Sequence, residues 1–137
     1  MKDMARIRVF FVDNERILNC KWAIRYFMEG VQIVGWADKT RLALPKIRKR
    51  KPDIVVCDAI LNGRKDGINF CTELRRESDI PVIMVTDILG EHFLGKVKPL
   101  KLADLILKPV DPPALLESIF EAAENPDREV DYKKFRL

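Results

Sequence analysis

Short apolar segments alternate with longer segments of helical periodicity along almost the whole chain. Five short segments rich in apolar and β-branched residues have the composition of buried strands. They cover residues 7–12, 32–37, 54–57, 81–85 and 105–107. Apolar positions three or four apart predict helices over residues 15–28, 39–51, 67–77, 91–98 and 112–123. This alternation predicts an α/β protein, with a doubly wound, five-stranded parallel sheet covered by helices on both faces.

Four polar residues stand at the ends of four of these strands. Asp13, Asp58, Thr86 and Lys108 each follow a separate apolar run, and the carboxyl ends of parallel strands meet at one edge of a sheet. With strand order 2-1-3-4-5, the order reverses between the first and third strands, which places Asp13 beside Asp58. Taken alone, the position of Asp58 is also typical of a residue that caps a turn.

Two carboxylates, a hydroxyl and an ammonium on one rim suit a divalent cation and a phosphoryl group. Mg²⁺ accepts one or two carboxylates together with waters and phosphate oxygens. A lysine and a hydroxyl neutralise charge on the remaining oxygens, and an aspartate can itself be the nucleophile. The pattern therefore predicts phosphoryl chemistry at this edge of the sheet.

The chain resembles the receiver domain of two-component response regulators over residues 7–123. The matching motifs are Val12-Asp13, Pro52-Asp53-Ile-Val-Val-Cys-Asp58, Asp66-Gly67-Ile68, Ile80-Pro-Val-Ile-Met-Val-Thr86 and Leu107-Lys108-Pro109. The resemblance implies a flavodoxin-like fold with three layers, α/β/α.

The resemblance also implies roles for the strand-end residues. Asp58 would accept a phosphoryl group from a histidine kinase or a phosphotransfer protein, with Mg²⁺ (or Mn²⁺) bound nearby. Thr86 would bond one phosphate oxygen and Lys108 would pair with another, while Asp13, Asp58 and the backbone carbonyl of Ile60 would ligate the metal. Because no output domain follows, we expect a stand-alone receiver that contacts a downstream protein. We expect no enzyme activity beyond Mg²⁺-dependent self-phosphorylation and self-dephosphorylation.

Several positions depart from the family's pattern. Asn14 replaces a second acid, and the lost charge predicts weaker metal binding; its amide can still ligate the metal or cap the next helix. Asp87 replaces a small residue, and it either faces solvent or supplies the missing carboxylate. Leu105 replaces the switch aromatic, which excludes rotation of an aromatic ring as the output mechanism. Ile60 and Ile88 are poorly suited to orient a hydrolytic water, so we expect slow loss of phosphate.

Two alternatives remain open from the residues alone. The departures favour a pseudo-receiver, an interaction module with the fold but with weak or no phosphorylation. The aspartate after the first strand is also typical of small phosphohydrolases of the haloacid dehalogenase type. That family needs a second acid two residues later, followed by Thr or Val, whereas this chain has Glu15 and Arg16.

Length and composition limit the classes further. The 137 residues suffice for one domain, which we place at residues 1–124, before a polar C-terminal tail over residues 125–137 that we expect to be frayed or extended. No apolar run approaches the roughly 20 residues that span a bilayer, and the N-terminus lacks a signal-peptide core. We therefore expect a cytoplasmic protein without a membrane partner.

Cysteines and basic residues point to no further site. Cys20, Cys57 and Cys71 lack metal-ligand spacing and lie in apolar segments. The net charge is +4, and basic clusters at residues 48–51 and 133–136 are typical of a solvated helix end and tail. We therefore expect no nucleic-acid partner, whereas a homodimer stays open.

Overall fold

The sheet has the predicted strand order. A computed structural model of the chain describes residues 6–13, 25–26, 29–61 and 63–135. Within these residues, five parallel strands pair in the order β2-β1-β3-β4-β5. The strands are β1 (Ile7–Val12), β2 (Val31–Ala37), β3 (Ile54–Asp58), β4 (Val82–Thr86) and β5 (Asp104–Leu107). The prediction of a doubly wound parallel sheet is confirmed.

Helices cover both faces of the sheet. They are α1 (Thr40–Arg50), α2 (Asp66–Glu77), α3 (Glu91–Val97) and α4 (Pro112–Glu124), with short 3-10 helices at Lys98–Leu100 and Tyr132–Phe135. Apolar side chains of α1, α2 and α3 pack on one face, and those of α4 pack on the other. This is the predicted three-layer α/β/α arrangement of a flavodoxin-like fold.

The predicted helix over residues 15–28 lies outside the described residues, except for Arg25 and Tyr26, which are helical. Tyr26 is buried on the α4 face, and its hydroxyl donates to the carbonyl oxygen of Pro112 at 2.8 Å. None of the helices that the structure describes is both long and apolar enough to cross a membrane.

The two central strands are buried on both faces. Every residue of β3 and β4 is buried, because parallel sheets with helices on both sides need continuous apolar runs. Alternate residues of β3 enter different cores: Val55 and Cys57 face the α1–α3 side, and Ile54 and Val56 face the α4 side. The apolar run ends at Asp58, the last residue of the strand.

The basic cluster at residues 48–51 makes contacts within the fold. The guanidinium of Arg48 forms an ion pair with Glu77 at 2.6 Å, and Arg50 donates to the carbonyl oxygen of Val34 at 2.6 Å. Arg8 donates to the carbonyl oxygen of Lys51 at 2.7 Å. These contacts tie α1 to β1, β2 and α2, so the cluster has a structural role.

Residues 126–135 pack beside the edge strand β5, in the segment where the sequence analysis expected a frayed or extended tail. The Val130 N–H donates to the carbonyl oxygen of Leu102 at 3.0 Å, and the Val130 side chain is buried. Tyr132 and Phe135 pack against the core on the α1–α3 side. These three apolar residues, spaced within a polar segment, join the segment to the core on the α1–α3 side.

Candidate functional site

The four strand-end residues lie at one edge of the sheet. Asp13 follows β1, Asp58 and Thr86 end β3 and β4, and Lys108 follows β5. The strand register aligns these ends, since Val12 pairs with Cys57, Asp58 with Val85 and Thr86 with Leu107. The expected crevice therefore lies at the carboxyl edge, between β1 and β3, where the strand order reverses.

Asp58 is a buried carboxylate that accepts hydrogen bonds from two donors. Only 1% of its surface is exposed. Its Oδ2 lies 2.6 Å from the Nζ of Lys108, and its Oδ1 accepts the N–H of Ile60 at 3.1 Å. Burial raises the pKa of Asp58 above its ordinary value, and repulsion from Asp13 acts in the same direction, while the Lys108 and Ile60 hydrogen bonds oppose the shift.

Asp13 is also buried, with 0% of its surface exposed. Its N–H donates to the carbonyl oxygen of Ala37 at 3.0 Å, and its own carbonyl oxygen accepts the indole N–H of Trp36 at 3.0 Å. Asp13 is the residue that follows the end of β1, and the end of β2 thus binds both its N–H and its carbonyl oxygen.

The two carboxylates fit a small divalent cation. They are close enough for Asp13 to raise the pKa of Asp58, and a cation between them would relieve that repulsion. No group of three or more His, Cys, Asp and Glu side chains suited to a metal ion occurs in the part of the chain that the structure describes. Mg²⁺ needs only one or two carboxylates, with waters and phosphate oxygens completing its shell. The donor set suits Mg²⁺ better than a softer metal.

Thr86 is engaged with the loop that follows it. Its Oγ1 accepts the N–H of Ile88 at 3.0 Å and donates to the carbonyl oxygen of the same residue at 3.2 Å. The hydroxyl lies at the end of β4, between the strands that carry Asp58 and Lys108. To donate to a phosphate oxygen it would have to give up its hydrogen bond to the carbonyl oxygen of Ile88, while it could still accept the Ile88 N–H.

The remaining predicted site residues differ in how the structure describes them. Ile60 is half-buried, and its N–H donates to Asp58; the metal-binding role of its carbonyl stays a prediction. Asp87 is exposed, which agrees with the first of the two orientations considered for it. Leu105 is buried. Asn14 lies outside the described residues, so its proposed ligation is a prediction.

Gly67 supports the site and was given no role by the sequence analysis. A Cβ at this position would overlap the carbonyl oxygen of Asp58, so only glycine lets the first turn of α2 approach the end of β3. The same carbonyl oxygen of Asp58 also accepts a hydrogen bond from the thiol of Cys57 at 3.3 Å. The Asp66-Gly67 motif was recognised in the sequence, but the sequence does not show that Gly67 approaches the carbonyl oxygen of Asp58.

Trp36 is the second residue that supports the site and was given no role by the sequence analysis. The ring does stack on Phe11, with centroids 5.7 Å apart and an interplanar angle of 21°. Its N–H, however, contacts the backbone of Asp13. A partly buried Trp usually finds a hydrogen-bond acceptor, and β2 is the neighbour of β1 in the predicted order, so the sequence carried a signal for this contact.

The fold and the strand-end residues place the chain among the flavodoxin-like α/β proteins that carry a polar site at the point where the strand order reverses. The chain belongs to the response regulator receiver family, because the family described as "Response regulator receiver domain" matches residues 9–120. Receiver domains are generally signalling modules rather than enzymes, and they generally bind Mg²⁺ at an acidic pocket and interact with histidine kinases. Neither the pseudo-receiver nor the phosphohydrolase interpretation gains support.

Individual relatives agree with this assignment. The chain is 34% identical over 124 residues to the "Probable transcriptional regulator ycf27" of Cyanophora paradoxa, an alignment that covers 87% of this chain and 50% of that protein. It is 30% identical over 114 residues to the protein of the same description from Porphyridium aerugineum, covering 82% of this chain and 46% of the other. The chain spans about half the length of the curated relatives it matches.

Solved structures show the same fold. A two-component response regulator of the LuxR family from Aurantimonas sp. SI85-9A1 superposes with a TM-score of 0.73 at 25% identity, covering 92% of this chain and 89% of that one. A CheY-like response regulator receiver domain protein from Methanospirillum hungatei JF-1 superposes with a TM-score of 0.74 at 21% identity, covering 88% of this chain and 95% of that one.

Proposed function

We propose that this receiver accepts a phosphoryl group on Asp58 from a histidine kinase or a phosphotransfer protein, and signals through contacts with a downstream protein. The observation that carries the proposal is the 2.6 Å contact between Lys108 and Asp58, at the edge of the sheet that also holds Asp13 and Thr86. An ammonium in this place neutralises the acceptor before transfer and can follow the charge onto the phosphoryl oxygens afterwards.

The residues present suit each part of the transfer. A carboxylate oxygen of Asp58 attacks phosphorus, the new O–P bond replaces the P–N bond of the donor phosphohistidine, and the imidazole leaves with the electron pair. Negative charge spreads over the phosphoryl oxygens during this step. Lys108 and the Thr86 hydroxyl would each bond one of these oxygens.

Mg²⁺ (or Mn²⁺) would be held by Asp13, Asp58 and the carbonyl of Ile60, with Asn14 or Asp87 as a further ligand. The bound cation would supply positive charge to the phosphoryl oxygens. Because Asn14 carries no charge, we expect weaker binding than two acids at this position would give. At an effective dielectric constant near 20, one pair of unit charges at 4 Å is worth roughly 4 kcal/mol before desolvation is counted.

Intact-mass measurement after incubation with acetyl phosphate and Mg²⁺ tests the proposal. We expect the wild-type chain to gain one phosphoryl group and Asp58→Asn to gain none. Asp53→Asn is the matched control, because Asp53 precedes the same strand at its opposite end and is exposed. A wild-type chain that gains no phosphoryl group, and that binds no beryllofluoride, would be a pseudo-receiver, and turnover of a phosphate ester would indicate a phosphohydrolase.

The phosphoryl group should leave slowly once it is attached. Ile60 is half-buried and Ile88, which follows Thr86 by two residues, is 44% exposed. Neither apolar side chain can orient an attacking water. Following the loss of mass over time in purified protein measures the rate. A lifetime of only seconds would contradict this part of the proposal.

A further inference from the structure

A β-bulge in β2 brings Trp36 onto the side of the sheet where Phe11 lies. Strand β1 pairs Val9 with Ile33 and then Phe10 with Gly35, so Val34 is an extra residue in β2. One extra residue exchanges the faces of all residues that follow it in a strand. In this register Trp36 pairs with Phe11, and both rings pack on the α4 side.

The bulge leaves no room for a side chain at position 35. A Cβ on Gly35 would lie 2.5 Å from a ring carbon of Phe10, which is far inside van der Waals contact. The bulge is also held from outside the sheet, because Arg50 donates to the carbonyl oxygen of Val34 at 2.6 Å. These contacts fix the register in which Trp36 stacks on Phe11.

In this register, the indole of Trp36 reaches past Phe11 to the residue that follows β1. Its Nε1 donates to the carbonyl oxygen of Asp13 at 3.0 Å, and the next residue, Ala37, accepts the N–H of Asp13 at 3.0 Å. Two consecutive residues of β2 therefore hold both backbone polar groups of Asp13.

We propose that Trp36 is a positioning residue for the cation site, which holds the backbone of Asp13 so that its buried carboxylate stays directed toward a cation shared with Asp58. This inference rests on the proposed function. Asn14 is an amide in place of a second acid, so fewer negative charges attract the cation. The affinity for the cation then depends more on how rigidly Asp13 is held before the cation binds. Bulges occur often beside functional sites, where they redirect one side chain.

The test compares Trp36→Phe, which keeps an aromatic ring and removes the donor, with the wild-type chain. Calorimetric titration with Mg²⁺ alone should show affinity lower by about threefold to tenfold, the range that net loss of one hydrogen bond gives. In acetyl phosphate reactions, the Mg²⁺ concentration for half-maximal phosphorylation of Asp58 should rise by the same factor. The plateau at saturating Mg²⁺ should stay unchanged, because Trp36 contacts neither the phosphoryl group nor Asp58.

Tyr26→Phe is the matched control, because it also removes one aromatic donor to a backbone carbonyl, that of Pro112. It should lower thermal stability without a change in Mg²⁺ affinity. Benzothienylalanine at position 36 keeps the full ring system and lacks the N–H, so it replaces Trp36→Phe if that variant does not fold.

The outcomes separate this inference from the proposed function. Equal Mg²⁺ affinity in the wild-type chain and the position 36 variants would overturn the positioning role, and so would an equal loss in Tyr26→Phe. A wild-type chain that neither binds Mg²⁺ nor accepts phosphate would instead overturn the proposed function, and the positioning role with it.

Discussion

The ammonium of Lys108 lies 2.6 Å from Oδ2 of Asp58, and it reaches that oxygen from β5, two strands away in the sheet. The Lys108 side chain is 18% exposed and that of Asp58 only 1%. In a site with so little solvent the pair is costly to separate, since removing the ammonium would leave the buried Asp58 carboxylate without its charged partner. The contact between Lys108 and Asp58 therefore contributes both to the stability of the domain and to the proposed phosphoryl transfer to Asp58.

Lys108→Ala should lower the free energy of unfolding at neutral pH by about 3 kcal/mol, because it leaves two buried carboxylates facing one another. Adding Asp58→Asn to this variant should recover most of the loss. Urea unfolding of the wild-type chain, the two single variants and the double variant gives the coupling energy between the residues. If the losses of stability in the two single variants simply add in the double variant, the Lys108–Asp58 contact is not the source of the destabilisation.

Gly67→Ala should destabilise the chain strongly, whereas Gly95→Ala should not. A Cβ at Gly67 would overlap the carbonyl oxygen of Asp58, and relieving this contact between two backbones should cost about 3 kcal/mol or more. Gly95 lies within α3, with no atom in 4 Å of an added Cβ. There the substitution should stabilise the chain by about 0.5–1 kcal/mol.

Thermal unfolding of both glycine variants measures these effects, and Gly67→Ala should also fail to gain a phosphoryl group from acetyl phosphate. A Gly67→Ala protein with wild-type stability would mean that α2 can move away from β3 at little cost. A destabilised Gly95→Ala would instead mean that α3 does not tolerate alanine at this exposed position.

The strands and the strand-end residues could be predicted because each depends on a local pattern. The run from Ile54 to Cys57 is apolar throughout, so it had to be buried on both faces, and the polar residue that ends it had to lie at the edge. The same reasoning applied to the strands before Asp13, Thr86 and Lys108. Parallel pairing then brought these residues to one rim without any further information.

The parts that could not be predicted depend on contacts between distant segments. The bulge at Val34 is a property of how β2 pairs with β1. Gly35 marks an irregularity within β2, but it does not show which residue is extra or which face Trp36 takes. The position of residues 126–135 depends on Leu102 and Asp104, which are far from them in sequence. The polar composition of this segment concealed the three apolar residues that fix it beside β5.

Lys134 contributes to holding this segment. Its Nζ lies 2.9 Å from Oδ1 of Asp104, and 45% of its side chain is exposed. Lys134→Gln should therefore lower the free energy of unfolding by only about 1 kcal/mol. Lys133→Gln is the control, because Lys133 is an exposed neighbour with the same charge. Equal stabilities of the two variants in urea unfolding would count against a specific contact with Asp104.

Asp104 should make the stability of the domain depend on pH in the acidic range. It is a buried carboxylate, 7% exposed, and Ser118 donates to it at 2.6 Å. Burial acts to raise its pKa, but hydrogen bonds from Ser118, Lys134 and the Leu105 N–H outweigh burial and lower the pKa below its ordinary value. The folded chain therefore holds the ionised form more firmly than the unfolded chain does.

A carboxyl group whose pKa is lower in the folded chain stabilises the fold above its unfolded pKa, and this contribution is lost as the pH falls through the folded pKa. Asp104→Asn should consequently be less stable than the wild-type chain by about 1–3 kcal/mol at neutral pH. The difference should stay constant down to about pH 5 and shrink below it. Urea unfolding of both proteins between neutral and acidic pH measures this difference. If the difference grew as the pH fell, the carboxylate would be destabilising in the folded chain, and its hydrogen bonds would not outweigh its burial.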